Sequence, residues 1–351
     1  MAPVIRREWK LRERVTPGVT ESRLGVIESR RWISLLLCFV LVLPVGRQAS
    51  AQVVDYTEAP DWPNPATTAA GTPAAWNFGQ VSAVATSADG YVVVLHRGAQ
   101  PIMLFDGGGG FVGAWGDGLF SNGKIIIIAP ADREAGQSGY TAVYGAAGCH
   151  ACGAHSVRVD PDGNIWVVDA PGHVVYKTSP QGRVLMELGS RGVAGMSQNT
   201  FNLPTDVAFG PNGDVYVSDG YGNARVVKYT AGGQYALEWG SRGTGPGEFG
   251  LPHNLVVDAE GRVYVADRDN RRVQVFAPDG EFLAEWPNIG VVSALFMTEE
   301  QQIWTGGTLR NLEGVALARL PGGDGGHGMT TTDAGGVFVA QLAGRIQKFV
   351  E

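Results

Sequence analysis

One 16-residue unit recurs six times between residues 82 and 342, and a repeat of this kind leaves few folds open. Each copy reads as an apolar strand, a tight turn, a second apolar strand and, in several copies, an aspartate. The clearest are HSVRVDPDGNIWVVDA (155–170), TDVAFGPNGDVYVSDG (205–220) and HNLVVDAEGRVYVADR (253–268). Fainter copies are SAVATSADGYVVVLHR (82–97), SALFMTEEQQIWTGGT (293–308) and HGMTTTDAGGVFVAQL (327–342). Turn glycines Gly90, Gly163, Gly213, Gly261 and Gly335 recur at regular spacing, and an insertion at about 121–154 separates the first two copies. Alternation such as Val263 and Val265 marks strands with two distinct faces. Paired strands in units of roughly 35–50 residues read as propeller blades. The expected fold class is therefore all-β: a six-bladed β-propeller, one domain over 52–351, with the segment 53–80 supplying an outer strand that closes the ring. Composition agrees. Gly makes up 51 of 351 residues and charged residues only 17%, which suits many short strands joined by tight turns, while 44% hydrophobic content excludes general disorder.

Registering the copies on their turns exposes the chemistry. The first residue of each copy reads Ser82, His155, Thr205, His253, Ser293 and His327. The innermost strands of a propeller line its central channel, so equivalent positions sit at one depth around the axis. The histidines then fall on blades 2, 4 and 6, with near three-fold symmetry. That is the arrangement a three-His metal site with an open coordination position needs, and zinc is the first expectation because three imidazoles suit it. Only six histidines exist in the chain, and three share this one position. A packing role would fill all six blades alike; strict alternation suits a ligand set.

Fifteen residues further on come Arg97, Ala170, Gly220, Arg268, Thr308 and Leu342, with Tyr221 at the next position on blade 3. Arg97 and Arg268 are expected to rim the same mouth. A metal, two guanidiniums and a phenol describe a site for a small-molecule or peptide substrate that carries a carboxylate. The competing reading pairs Arg268 with Asp267 or Asp269; Arg97 has no acid beside it in sequence.

The amino terminus reads as an address. Trp32 to Val45 is an apolar run of 14 residues, preceded by Arg30 and Arg31 and followed by Ala49-Ser50-Ala51. It is too short to span a membrane, and its order of basic, apolar and small residues is that of a signal peptide over 1–51. The pair Arg30-Arg31 leaves a twin-arginine route open. The mature protein is expected to be secreted or periplasmic, with no stable membrane span, and monomeric. Residues 1–51 carry nine of the 27 Lys/Arg and four of the 34 Asp/Glu, which leaves 18 basic against 30 acidic residues. A body that acidic is a poor binder of nucleic acid. Cys149 and Cys152, in Cys-His-Ala-Cys, read first as a local disulfide in an oxidising compartment; a cramped metal set with His150 and His155 is the alternative.

The runs PTDVAFGPNGDVYVSDGYGNARVVKY (204–229) and GEFGLPHNLVVDAEGRVYVADRDNRRVQVF (247–276), with LHRG (95–98) and HSVRVDPDGNIWVVDAPGHVVYK (155–177), resemble the peptidyl-α-hydroxyglycine α-amidating lyase family, an NHL-repeat six-bladed propeller. The resemblance covers nearly all of residues 80–350. It implies zinc on His155, His253 and His327, an active-site tyrosine at Tyr221 and active-site arginines at Arg97 and Arg268. It also implies a lyase that splits a carbinolamide, a peptide ending in α-hydroxyglycine, into a peptide amide and glyoxylate. The chain departs from the family at four glycines. Gly328 stands where the family has a calcium-site Asp, Gly325 and Gly326 where it has a Met, and Gly222 where it has a disulfide Cys. Calcium is accordingly doubtful, expected weak or absent. Two rivals remain: a lactonase-type propeller of the gluconolactonase kind, which needs an acidic calcium site, and a non-enzymatic NHL scaffold that binds partners on its rim.

Overall fold

The computed structural model of the chain describes residues 55–351 apart from 61, 68–72, 130, 132–138, 146–149 and 324. The expected signal peptide over 1–51 and Cys149 lie outside the described residues. Six antiparallel sheets of four strands succeed one another along the chain. Their first, innermost strands are Val81–Thr86, Ala154–Val159, Asp206–Phe209, Pro252–Val257, Leu295–Met297 and Gly328–Thr331, on blades 1 to 6 in that order. Five blades are simple meanders. Blade 6 takes its outer strand from the other end of the chain, where Thr57 and Glu58 pair with Val350 and Phe349. The closing strand expected within 53–80 is therefore this one.

Apolar runs such as Ile165–Asp169 are buried on both faces, because each sheet is pressed between two others. Ile165 and Val167 pack toward blade 1, whereas Trp166 and Val168 pack toward blade 3. Val263 and Val265 face blade 3, and Tyr264 and Ala266 face blade 5. The turns follow one pattern. Gly90, Gly163, Gly213, Gly261 and Gly335 all have φ between 80° and 85°, where a Cβ is strained. The fifth copy lacks its glycine, and Gln301 takes the left-handed backbone there, with φ 58°.

The aspartate that ends several units is structural. Asp219 accepts the Asn202 N–H at 2.8 Å, and Asp267 accepts the Gly250 N–H at 2.8 Å, tying the second strand of each blade to the segment that enters it. Each carboxylate also meets an arginine of the third strand: Asp219 meets Arg225 and Asp267 meets Arg272, both at 2.9 Å. Asp219 is fully buried and Arg225 is 1% exposed. Asp219→Ala should therefore lower unfolding stability by about 1–3 kcal/mol, because it leaves the Asn202 amide and the Arg225 Nε–H without their buried acceptor while Glu238 still pairs with the guanidinium. Urea unfolding measures it; a loss under about 1 kcal/mol would show that Arg225 finds its support elsewhere.

Candidate metal centre

His155 and His253 sit where the inner strand loses its ladder register. Pairing shifts between Ala154 and Ser156 on blade 2, and between Pro252 and Asn254 on blade 4. The skipped residue in each case is the histidine. A bulge of this kind re-aims a side chain, here toward the channel. His327 immediately precedes the inner strand of blade 6, held by its N–H to the Ala340 carbonyl at 2.9 Å.

The three imidazoles meet edge to face, with ring centroids 4.8, 4.9 and 5.0 Å apart. Each is propped by the next blade. The Nδ1 of His155 lies 2.6 Å from the Thr205 carbonyl, that of His253 2.9 Å from Ser293, and that of His327 2.8 Å from Ser82. A carbonyl only accepts, so each Nδ1 carries the hydrogen and each Nε2 keeps its lone pair. The residues whose carbonyls accept these bonds are those that fill the alternate positions of the repeat. Sequence registers them as small hydroxyl residues but cannot show that their backbone oxygens set the tautomers.

Burial and neighbouring positive charge keep the rings neutral. Burial comes first for all three. His327 falls to about 4, with Arg97 adding to the effect. His155 and His253 fall well below the usual value of a histidine, and Arg97 and Arg268 respectively are among the causes. Metal ligands must be deprotonated, so the set is prepared for one. The donor atoms lie within 4.8 Å of one another. Three neutral imidazoles, each hydrogen-bonded on its far nitrogen, fit a zinc ion with an open fourth position.

Tyr221 leans over this ring, its hydroxyl 3.1 Å from the Nε2 of both His155 and His253. Burial raises its phenol above the ordinary value, while Arg268 and Arg97 pull the other way. Arg97 is fixed by its Nε to the Ala154 carbonyl at 3.2 Å and its Nη1 to Gln80 at 2.7 Å. Arg268 packs over Tyr221, its guanidinium carbon 5.6 Å from the ring centroid. It does pair with Asp269, at 3.2 Å, but Asp267 is committed to Arg272. The structure thus brings all six sequence-derived residues to one mouth.

Tyr140 also belongs there, and sequence reasoning missed it. It lies on the hairpin of Lys124–Ile127 and Tyr140–Val143, inside the insertion. Its ring stands 4.9 Å from that of Tyr221, and its hydroxyl takes a hydrogen bond from Arg268 at 2.7 Å while donating to Asp269 at 3.1 Å. An insertion has no repeat register, so nothing in the copies pointed to it. The alternative Cys/His set is not assembled: Cys152 is disulfide-bonded, His150 is exposed, and His155 faces the ring.

The four departing glycines are close-packed. A Cβ at position 328 would lie 2.7 Å from the Ala83 Cα, so an aspartate has no room there without backbone movement. Gly222 is crowded by Asn202, Gly325 by Gly306 and Gly326 by Ala340.

Residues 201–229 and 249–276 match the NHL repeat. A probable peptidyl-alpha-hydroxyglycine alpha-amidating lyase of Caenorhabditis elegans is 30% identical over 263 residues, covering 67% of this chain and 69% of that protein. The chain belongs to this lyase family. A peptidylglycine alpha-amidating monooxygenase of Rattus norvegicus is 36% identical over 220 residues, 59% of this chain, and the match spans only 22% of that longer protein. Among solved structures, a streptogramin B lyase superposes with a TM-score of 0.51 over 84% of this chain and 97% of its own, at 15% identity, a likeness of fold alone.

If the ring is the metal site of this family member, purified protein should carry one zinc per chain. Ala substitutions at His155, His253 or His327 should each lower that content, and His173→Ala should not, because His173 lies under the insertion against Tyr144 and the Leu203 amide. Elemental analysis decides it. Full zinc in all three ring variants would sink the site.

Proposed function

We propose that this chain is a zinc-dependent carbon–nitrogen lyase that cleaves a C-terminal α-hydroxyglycine into a peptide amide and glyoxylate. One observation carries the reading: a ring of three neutral imidazoles, a phenol within hydrogen-bond reach of two of them, and two fixed guanidiniums share one mouth. A zinc ion held by His155, His253 and His327 supplies Lewis acidity, which favours ionisation of a hydroxyl beside it.

The chain's own residues do the rest. Arg97 and Arg268 bind and orient the carboxylate that leaves in glyoxylate, as guanidiniums suit that planar group. Tyr221 handles the carbinol proton. Burial holds its phenol up, so it needs the two arginines and a metal charge beside it to serve as a base. With Tyr221 ionised, the carbinol O–H proton passes to its phenolate oxygen, the C–N bond breaks as the aldehyde C=O forms, and the Tyr221 hydroxyl returns that proton to the departing amide nitrogen, which restores the phenolate. No water is consumed, which separates a lyase from a hydrolase. Tyr140 positions Arg268 and walls the mouth.

Glyoxylate release from a small α-hydroxyglycine amide tests the reading; zinc-loaded protein that releases none would overturn it and favour a binding role. Tyr221→Phe removes only the hydroxyl. It should lower kcat by about 10²–10⁴ with little change in KM. Arg97→Ala should chiefly raise KM for substrates that carry a carboxylate. Wild-type turnover in the phenylalanine variant would remove Tyr221 as the base.

A further inference from the structure

Three residues beyond His155, on the same inner strand, Arg158 turns into the channel on the far side of the imidazole ring from Tyr221. Its Nη2 lies 2.6 Å from Asp206 Oδ2, 2.8 Å from Asn254 Oδ1 and 3.0 Å from the Leu295 carbonyl. Its Nε lies 3.2 Å from Asp206 Oδ1. One nitrogen with two hydrogens thus faces three oxygens from blades 3, 4 and 5. That is how oxygens gather round a hard cation, with a guanidinium at the centre. About 10 Å³ of free space remains at this hub, lined by Arg158, Asn254, Leu295, Gly328 and two of the ring histidines. That is no more than one water requires.

The oxygens are part of a network bound to the ring above. Ser156 Oγ donates to Asp206, the Leu255 amide reaches Asp206 Oδ2 at 3.2 Å, and the Leu295 amide reaches Asn254 Oδ1 at 2.6 Å. Asp206 follows Thr205, whose carbonyl props His155. Asn254 follows His253, and Leu295 lies two residues past Ser293, whose carbonyl props His253. Whatever fixes these three blades at the hub also fixes the spacing of His155 and His253. Asp206 is fully buried, and Arg158, 2.6 Å away, is the cation paired with it.

We propose that Arg158 is the resident cation of the channel: its guanidinium gathers the oxygens of Asp206, Asn254 and Leu295 in place of a divalent ion, and so positions the imidazole ring without one. The proposal is independent of the substrate and of turnover. Its test is thermal unfolding of chelated protein, with and without millimolar calcium, for wild type, Arg158→Ala, Arg158→Gln and Arg158→Lys. Wild type should melt at the same temperature in both conditions. Each charge-deleting variant should melt roughly 5–15 °C lower after chelation, and calcium should restore at least half of that loss, since the vacated oxygens then accept it. Arg158→Lys keeps a cation and should ignore calcium. Zinc affinity, titrated on the same proteins, should fall by about 10–100-fold in the charge-deleting variants and recover with calcium, a change that lost packing alone would not reverse.

The proposal is overturned if wild type gains as much from calcium as the variants do, or if the variants ignore it. It is equally overturned if neither charge-deleting variant folds even with calcium present, because shape rather than charge is then what the hub needs.

Discussion

Three hydrogen bonds that each cross from one blade to the next determine what this channel can do. Every ring histidine gives its Nδ1 hydrogen to a backbone carbonyl of the following blade, at 2.6–2.9 Å. These bonds fix the tautomer, and with it the direction of the lone pair. They also make the site a property of the closed ring, since no single blade contains both an imidazole and its prop. The closing strand at Thr57–Glu58 matters to the chemistry for this reason: it seals blade 6, whose histidine leans on blade 1.

Charge is arranged in two storeys around that ring. At the mouth, Arg97 and Arg268 stand beside neutral imidazoles, and Asp269 is the carboxylate that answers one of them. The excess is positive, which suits an anionic group arriving from solvent. Below the ring, Arg158 is matched by buried Asp206 at 2.6 Å. Of the mouth arginines, Arg97 is held by oxygens of Ala154 and Gln80 and Arg268 by those of Asp269 and Tyr140, whereas Arg158 is held by oxygens from three other blades, one of them a buried carboxylate.

Much of this was legible in the chain because a propeller turns sequence period into rotation about an axis. Six copies in register give depth as well as order, so His155, His253 and His327 could be placed at one level, and Arg97, Arg268 and Tyr221 at one rim. The fifth copy was faint because Gln301 replaces its turn glycine, yet the backbone keeps the same left-handed turn. What escaped were features that register does not carry. Tyr140 comes from an insertion, the props of the histidines are backbone atoms, and Arg158 in HSVRVD looks like any polar residue of a half-exposed strand. Its partners lie 48, 96 and 137 residues away on three other blades.

The central claim is that alternate blades build a metal ligand set on the propeller axis. An anomalous difference map at the zinc edge, from crystals of the purified protein, tests it most directly. The expected result is one peak on the axis, about 2.0–2.1 Å from a nitrogen of each of His155, His253 and His327, with the Tyr221 side of the ion open to the mouth. A peak elsewhere, or an axis without one in protein that contains zinc, would contradict it.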